Sequence, residues 1–212
     1  MGADQSVRVI VLSGVGEHFC SGLYLNYLKE ISQFGTLENL KDSDMFLNLL
    51  LAVYRCPKPV IAKVQGYALA GGCGLASACD LIIADDSAVL GYTETRFGFI
   101  PALVAAFLLR KVGESHAKDL LLTARFVKAD EAHSIGLVNK VVSKTDLQAT
   151  VDEYAQTLSR NSASSLALTK GMFEHLDSMS LGASLSYARD LNALTRTTED
   201  FKAGLAGFLK KK

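Results

Sequence analysis

The chain of 212 residues has no tryptophan, only 3 prolines and no surplus of charge, because 22 Lys and Arg residues face 22 Asp and Glu residues. Nucleic-acid binders carry a basic field for phosphate, so this balance argues against an extended DNA or RNA surface. A small phosphorylated ligand needs only a few local donors and stays compatible with it. Cysteines are few and dispersed, at Cys20, Cys56, Cys73 and Cys79, with no Cys-x-x-Cys pair. A chain this long does not need disulfide staples, and the four are expected to be reduced thiols in a cytoplasmic compartment. Long hydrophobic runs are lacking too. The N-terminus, MGADQSVRVIVLSG, puts acid before base and ends a short apolar run in Ser-Gly, which fits neither a signal peptide nor a membrane span. Neither a membrane nor a nucleic acid is an expected partner. His18, His116, His133 and His175 show no ligand spacing with one another or with cysteine, so no metal is expected. Gly14-Val15-Gly16 lacks a third glycine, position 19 being Phe, and Ser21 lies in FCSGL rather than Gly-x-Ser-x-Gly. A dinucleotide fingerprint and a hydrolase nucleophile elbow are both unsupported.

What the chain does have is 49% hydrophobic residues, enough to fill a core at this length. The β-branched runs at 7–12 (VRVIVL), 59–64 (PVIAKV) and 81–84 (LIIA) read as buried strands, and 137–142 as a fourth. Between them, 44–55 places Met45, Leu49, Ala52 and Val53 at helical spacing after Ser43, and 72–79 reads as a second helix. Short helices are predicted at 101–112, 114–123 and 129–135. From residue 146 the pattern is helical nearly to the end, over 147–158, 162–177 and 181–209. Strands alternating with helices predict an α/β core with a largely parallel sheet over 1–142, its ligand loops at the C-terminal strand ends. A helical region follows over 143–212.

Two glycine-containing loops follow strands. One is QGYALAGGCGLASACD, residues 65–80, where small residues let backbone approach closely and free N–H groups open a helix. The other is HFCSGLYLN, residues 18–26. Two N–H donors converging from separate loops form an oxyanion hole, a device whose single-donor loss costs roughly 10²–10³ in rate. Together with GYTETRFGFIP at residues 91–101, these motifs resemble, in order and over nearly the whole chain, the crotonase superfamily, the enoyl-CoA hydratase/isomerase family.

The resemblance implies a crotonase-like ββα spiral core, a helical C-terminal trimerisation region over 143–212, and a homotrimer or dimer of trimers acting on acyl-coenzyme A. It implies a CoA thioester as substrate and no permanently bound cofactor. The oxyanion donors would be the N–H groups of Leu23 and Gly71. Cys20 and Ser21 would lie against the adenine end of the CoA, with Leu23 and Leu25 in the same loop and Ala70, Gly71 and Gly72 opposite. Phe208 and Lys211 in the terminal GFLKKK would reach a neighbouring subunit's CoA, and a solvated basic tail is the plainer alternative for them. The resemblance further implies that family strands and a CoA-contacting loop precede the segment matching VRVIVL, so this chain lacks the family's N-terminal strands.

The hydratases of the family carry two glutamates. The second is present here as Glu94, whereas the first is replaced by Gly74 in GGCGLA. Apolar neighbours Leu90, Phe97, Phe99 and Ile100 are expected to desolvate Glu94 and raise its pKa, as a general acid/base requires. One carboxylate suffices for the isomerase mechanism, which shuttles a proton along the enoyl chain. Three readings stay open: a hydratase, by family prevalence; a double-bond isomerase, by the missing glutamate; and a catalytically inactive CoA-binding or assembly subunit. Tyr92 and Tyr24 are candidate helpers, Asp80 is expected to be structural, and Tyr27, Leu28, Leu103 and Val104 are candidates for an apolar acyl site.

Overall fold

The computed structural model describes Gly2, Asp4 and residues 6–210. By internal contacts the chain divides into two units. One comprises Val11–Tyr54 and Val60–Glu153, and the other Met1–Ile10, Arg55–Pro59 and Tyr154–Lys212.

The first unit carries both sheets. Strands β1 (Ile10–Ser13), β2 (Val60–Val64), β4 (Leu81–Asp85) and β7 (Lys140–Val142) form a four-stranded sheet in the order β1-β2-β4-β7. The β2–β4 and β4–β7 pairs are parallel. The short strands β3 (Tyr67–Leu69), β5 (Val89–Gly91) and β6 (Phe126–Lys128) form a second sheet, with β3–β5 parallel and β5–β6 antiparallel. Two windings, β2–β3 before α3 and β4–β5 before α4, each put one strand into the large sheet and the next into the small one. This is the α/β crotonase-like core expected from the sequence. Its helices are α1 (Leu25–Ile31), α2 (Thr36–Tyr54), α3 (Gly71–Ala78), α4 (Ala102–Thr123), α5 (Ala129–Ser134) and the start of α6 (Leu147–Arg160).

Local chemistry explains where the elements differ from the sequence reading. Strand β1 begins at Ile10 rather than Val7: Ile10 N–H donates to Pro59 O at 2.9 Å, and the prolines at 57 and 59 have no N–H with which to extend the ladder. Helix α2 starts at Thr36, eight residues ahead of the expected start at Asp44. Glu38 reaches back to accept the Gly35 N–H at 2.8 Å, a capping contact that the search for Ser43 as cap overlooked. The helices expected at 101–112 and 114–123 are the two halves of α4, broken at Gly113 with φ 73°. One apolar cluster joins Leu50, Ala78 and Phe107 with Phe46, Val53, Tyr54, Leu75 and Leu103, so α2, α3 and α4 share a core.

In the second unit, α7 (Ala163–Leu176), α8 (Leu181–Thr195) and α9 (Glu199–Leu209) follow the remainder of α6. The helix expected over 181–209 is interrupted because Thr198 accepts the Phe201 N–H at 3.2 Å and caps α9. Asp200 ties α9 to α7 by accepting from the Ser164 N–H at 3.0 Å and the Ser162 hydroxyl at 2.7 Å. Among the described residues no helix is long and apolar enough to cross a membrane.

Asp80 plays a structural part: its Oδ2 accepts the Val60 N–H at 2.7 Å, and its own N–H donates to Val60 O at 3.0 Å. The β2–β3 turn hinges on Gly66, at φ +56°, where a Cβ would stand 2.3 Å from Glu17 O and 2.4 Å from His18 Nδ1. Gly66→Ala should therefore lower stability by about 2–4 kcal/mol, seen as an earlier urea midpoint. An unchanged midpoint would show that this turn is not held as described.

Candidate active site

The segment holding Cys20 lies along β3 as a short parallel ladder. Phe19 N–H donates to Gln65 O at 2.9 Å, Cys20 N–H to Tyr67 O at 3.1 Å, and Leu69 N–H to Cys20 O at 2.9 Å. Two glycines let the next residues close on one another. Gly22 has φ +94°, and a Cβ on it would stand 3.2 Å from Leu69 O and 3.3 Å from Ala70 Cβ. A Cβ on Gly72 would stand 2.2 Å from Cys20 O. The two loops predicted to bind substrate are thus brought together, with Leu23 directly after one contact and Gly71 inside the other.

Gly71 opens α3, so its N–H has no intrahelical acceptor, and the helix dipole favours negative charge in front of it. Among the described residues no acceptor is found for the Leu23 N–H either. Ala70, preceding the helix, holds the uncommon φ of 49°, a conformation that costs a non-glycine residue roughly 1–3 kcal/mol. Its N–H is fixed on Gly91 O at 2.8 Å, which binds the start of α3 to the end of β5. Phe46, reaching from α2, would lie 3.2 Å from a Cβ on Gly71. The sequence reading missed Phe46; its place beside Met45 in the helical stripe was the available signal.

Three residues beyond β5, Glu94 begins a 3-10 turn, Glu94–Phe97, closed by Gly98 at φ 74°. Glu94 is only 9% exposed. Its Oε2 is buried without a hydrogen-bond partner among the described residues. Desolvation raises its pKa above the ordinary 4.5, and only its own backbone N–H works in the other direction. Phe97, Phe99 and Ile100, expected to shield it, are themselves exposed. Of the expected apolar neighbours only Leu90 is buried. Arg96 does not pair with Glu94: it donates to Ala124 O and lies over the Phe126 ring, 4.7 Å from its centroid.

Tyr92 is not free to assist. It is fully buried and its hydroxyl shares a 2.7 Å hydrogen bond with Ser77. Tyr24 is exposed at the start of α1, and Tyr27 is bonded to Asp42. Leu103 belongs to the shared core, whereas Val104 is buried against Gly74: a Cβ at position 74 would stand 2.0 Å from Val104 Cγ1. Ser21 lies in the stretch that leads into α1, and Leu25 is the first residue of that helix. Phe208 is exposed on α9 in the other unit, and Lys211 lies outside the described residues. No group of three or more His, Cys, Asp or Glu side chains suited to a metal occurs among the described residues.

Parallel strands shared between two sheets, a glycine-rich helix start and a buried carboxylate are the features of the crotonase type of enzyme. The chain belongs to the enoyl-CoA hydratase/isomerase family, whose sequence profile matches residues 1–212. A Thermus thermophilus relative, provisionally named an enoyl-CoA hydratase, is 42% identical over 210 residues, covering 99% of this chain and 83% of its own length. A short-chain-enoyl-CoA hydratase of Clostridium acetobutylicum is 34% identical over 211 residues, with 99% and 80% covered. The crystal structure of a Bacillus anthracis enoyl-CoA hydratase matches with a TM-score of 0.90 and 32% identity, covering 100% of this chain and 81% of that one.

The raised pKa of Glu94 has a sign. Below 4.5 the carboxyl is protonated folded or unfolded and nothing is lost; as pH rises from 4.5 through the folded-state pKa, the unfolded chain ionises more readily and stability falls. Glu94→Gln should therefore be more heat-stable than the natural chain at pH 7, with the advantage vanishing below pH 4.5. Equal melting temperatures at pH 7 would contradict the desolvated carboxylate.

Proposed function

We propose that the protein acts on an enoyl-CoA thioester by proton transfer. The Leu23 and Gly71 N–H groups hold the thioester oxygen as charge builds on it, and Glu94 serves as the acid/base. The observation that carries this reading is Glu94 itself, a desolvated carboxylate with an unpartnered oxygen, one turn from the strand that fixes Ala70. Burial brings such a group toward the working pH. On a 3-enoyl-CoA it removes a C2 proton, the C–H electron pair passes into the enolate, and the proton returns at C4. The double bond moves to C2–C3 without any bound cofactor.

Cys20, Ser21, Leu23 and Leu25 on one loop, with Ala70, Gly71 and Gly72 on the other, would receive the CoA. Phe208 and Lys211 would reach the CoA of a neighbouring subunit. Leu181, Leu185, Phe201, Leu205 and Phe208 are exposed in that unit, which supports its role in assembly as a homotrimer or a dimer of trimers. Water addition is the second reading, favoured by the names of the relatives.

Supplying a 2-enoyl-CoA and, separately, a 3-enoyl-CoA distinguishes the two. Migration of the double bond in the second is the expected outcome; water addition to the first with no migration in the second would replace the first reading by the other. Glu94→Gln should lower kcat by about 10²–10⁴-fold with KM little changed. A fully active variant would remove Glu94 from the mechanism, and no turnover over a broad CoA-ester panel would make the chain a silent CoA-binding subunit.

A further inference from the structure

We propose that Val104 determines which reaction Glu94 performs, by filling the space that any side chain at position 74 would need. The inference rests on the proton-transfer reading above. Gly74 sits in the first turn of α3, three residues past the Gly71 amide, and its N–H donates to Ala70 O at 3.0 Å. The charge of Glu94 reaches the adjoining Cys73. By the family resemblance, position 74 is where the hydratases carry their first glutamate.

The space is already taken. An ideal Cβ on Gly74 would stand 2.0 Å from Val104 Cγ1 and 2.7 Å from Val104 Cβ, and real Cβ contacts do not fall below 3.0 Å. Val104 is 2% exposed and lies in the first turn of α4, next to Leu103, which is packed into the core formed with Leu50, Ala78 and Phe107. A β-branched side chain in a helix has one strongly preferred rotamer, so it has little freedom to swing aside. Positions 74 and 104 are therefore an interlocked pair, and replacing Gly74 alone cannot install a carboxylate.

The chemical consequence follows from counting protons. Adding water to a 2-enoyl-CoA forms a bond from the water oxygen to C3, delivers one proton to C2 and takes one from the water. Two carboxyl groups can divide those transfers, one giving and one receiving. Moving a double bond from C3–C4 to C2–C3 takes one proton from C2 and returns one to C4, which a single carboxylate performs in sequence. Val104 acts through the space it occupies against Gly74, which makes it a positioning residue.

The geometry also specifies the remedy. Alanine at 104 keeps the Cβ, 2.7 Å from a new Cβ at 74, whereas glycine leaves only the Val104 Cα at 3.7 Å, an ordinary contact. The test compares the 212-residue chain with Gly74→Glu, Val104→Gly, Gly74→Glu/Val104→Ala and Gly74→Glu/Val104→Gly. Readouts are the thermal midpoint, water addition to 2-hexenoyl-CoA and double-bond migration in 3-hexenoyl-CoA. Gly74→Glu should melt well below the natural chain. The Gly74→Glu/Val104→Gly variant should recover part of that loss, the alanine version less, and its ratio of hydration to migration should rise at least tenfold over the natural chain and both single variants. Adding Glu94→Gln should abolish the gain. A Gly74→Glu variant as stable as the natural chain overturns the proposal, as does a glycine double variant no more stable than Gly74→Glu, or one with an unchanged reaction ratio. A natural chain that hydrates without migration would instead overturn the proton-transfer reading, while the midpoints still decide whether the two positions interlock.

Discussion

Everything at the candidate site depends on two strips of backbone that meet with no side chain between them. The Phe19–Cys20 strip is hydrogen-bonded to the Gln65–Leu69 strip, and Gly72 lies so close to Cys20 O that a Cβ would stand 2.2 Å from it. That contact fixes the loop of Leu23 relative to the helix start of Gly71. The price is backbone strain at Ala70, held by its bond to Gly91 O. Because Gly91 ends β5, the same bond sets the start of α3 in register with the strand that leads to Glu94. The segments that carry the Leu23 and Gly71 amides and Glu94 are thereby tied together by main chain, which does not depend on flexible rotamers.

Burial then decides which groups change charge. Desolvation pushes the Cys73 thiol up to about 12 and raises the Tyr92 phenol well above its ordinary value, and the nearby Glu94 charge adds to both shifts. Both stay neutral at physiological pH, and Tyr92 is further tied to Ser77. Glu94 is raised from below by the same physics. Burial moves all three upward, away from neutrality for Cys73 and Tyr92 and, for Glu94, in the direction an acid/base requires.

The long elements were legible in the sequence because their periodicity is strong. The strands at 60–64 and 81–85, helix α3 and the break of α4 at Gly113 could all be read from β-branched runs and glycine. The second sheet could not, since β3, β5 and β6 are three residues each, too short to show a period. Motif order made Glu94, Leu23 and Gly71 candidates, whereas Phe97, Phe99 and Ile100, expected to shield Glu94, are exposed. A residue next to another in sequence does not share its face: the 3-10 turn and the left-handed Gly98 send those side chains outward. The pairing of Val104 with Gly74, thirty positions away, is a packing fact that no local pattern carries.

The central claim is that Glu94 exchanges a proton at the carbon beside a thioester held by two amides. Incubating the protein in deuterated water with a saturated acyl-CoA, and following the C2 hydrogens by NMR, tests it most directly because no double bond or water addition is involved. Solvent deuterium should enter C2 with the natural chain and not with Glu94→Gln. No incorporation with the natural chain, or equal incorporation with the variant, would contradict it.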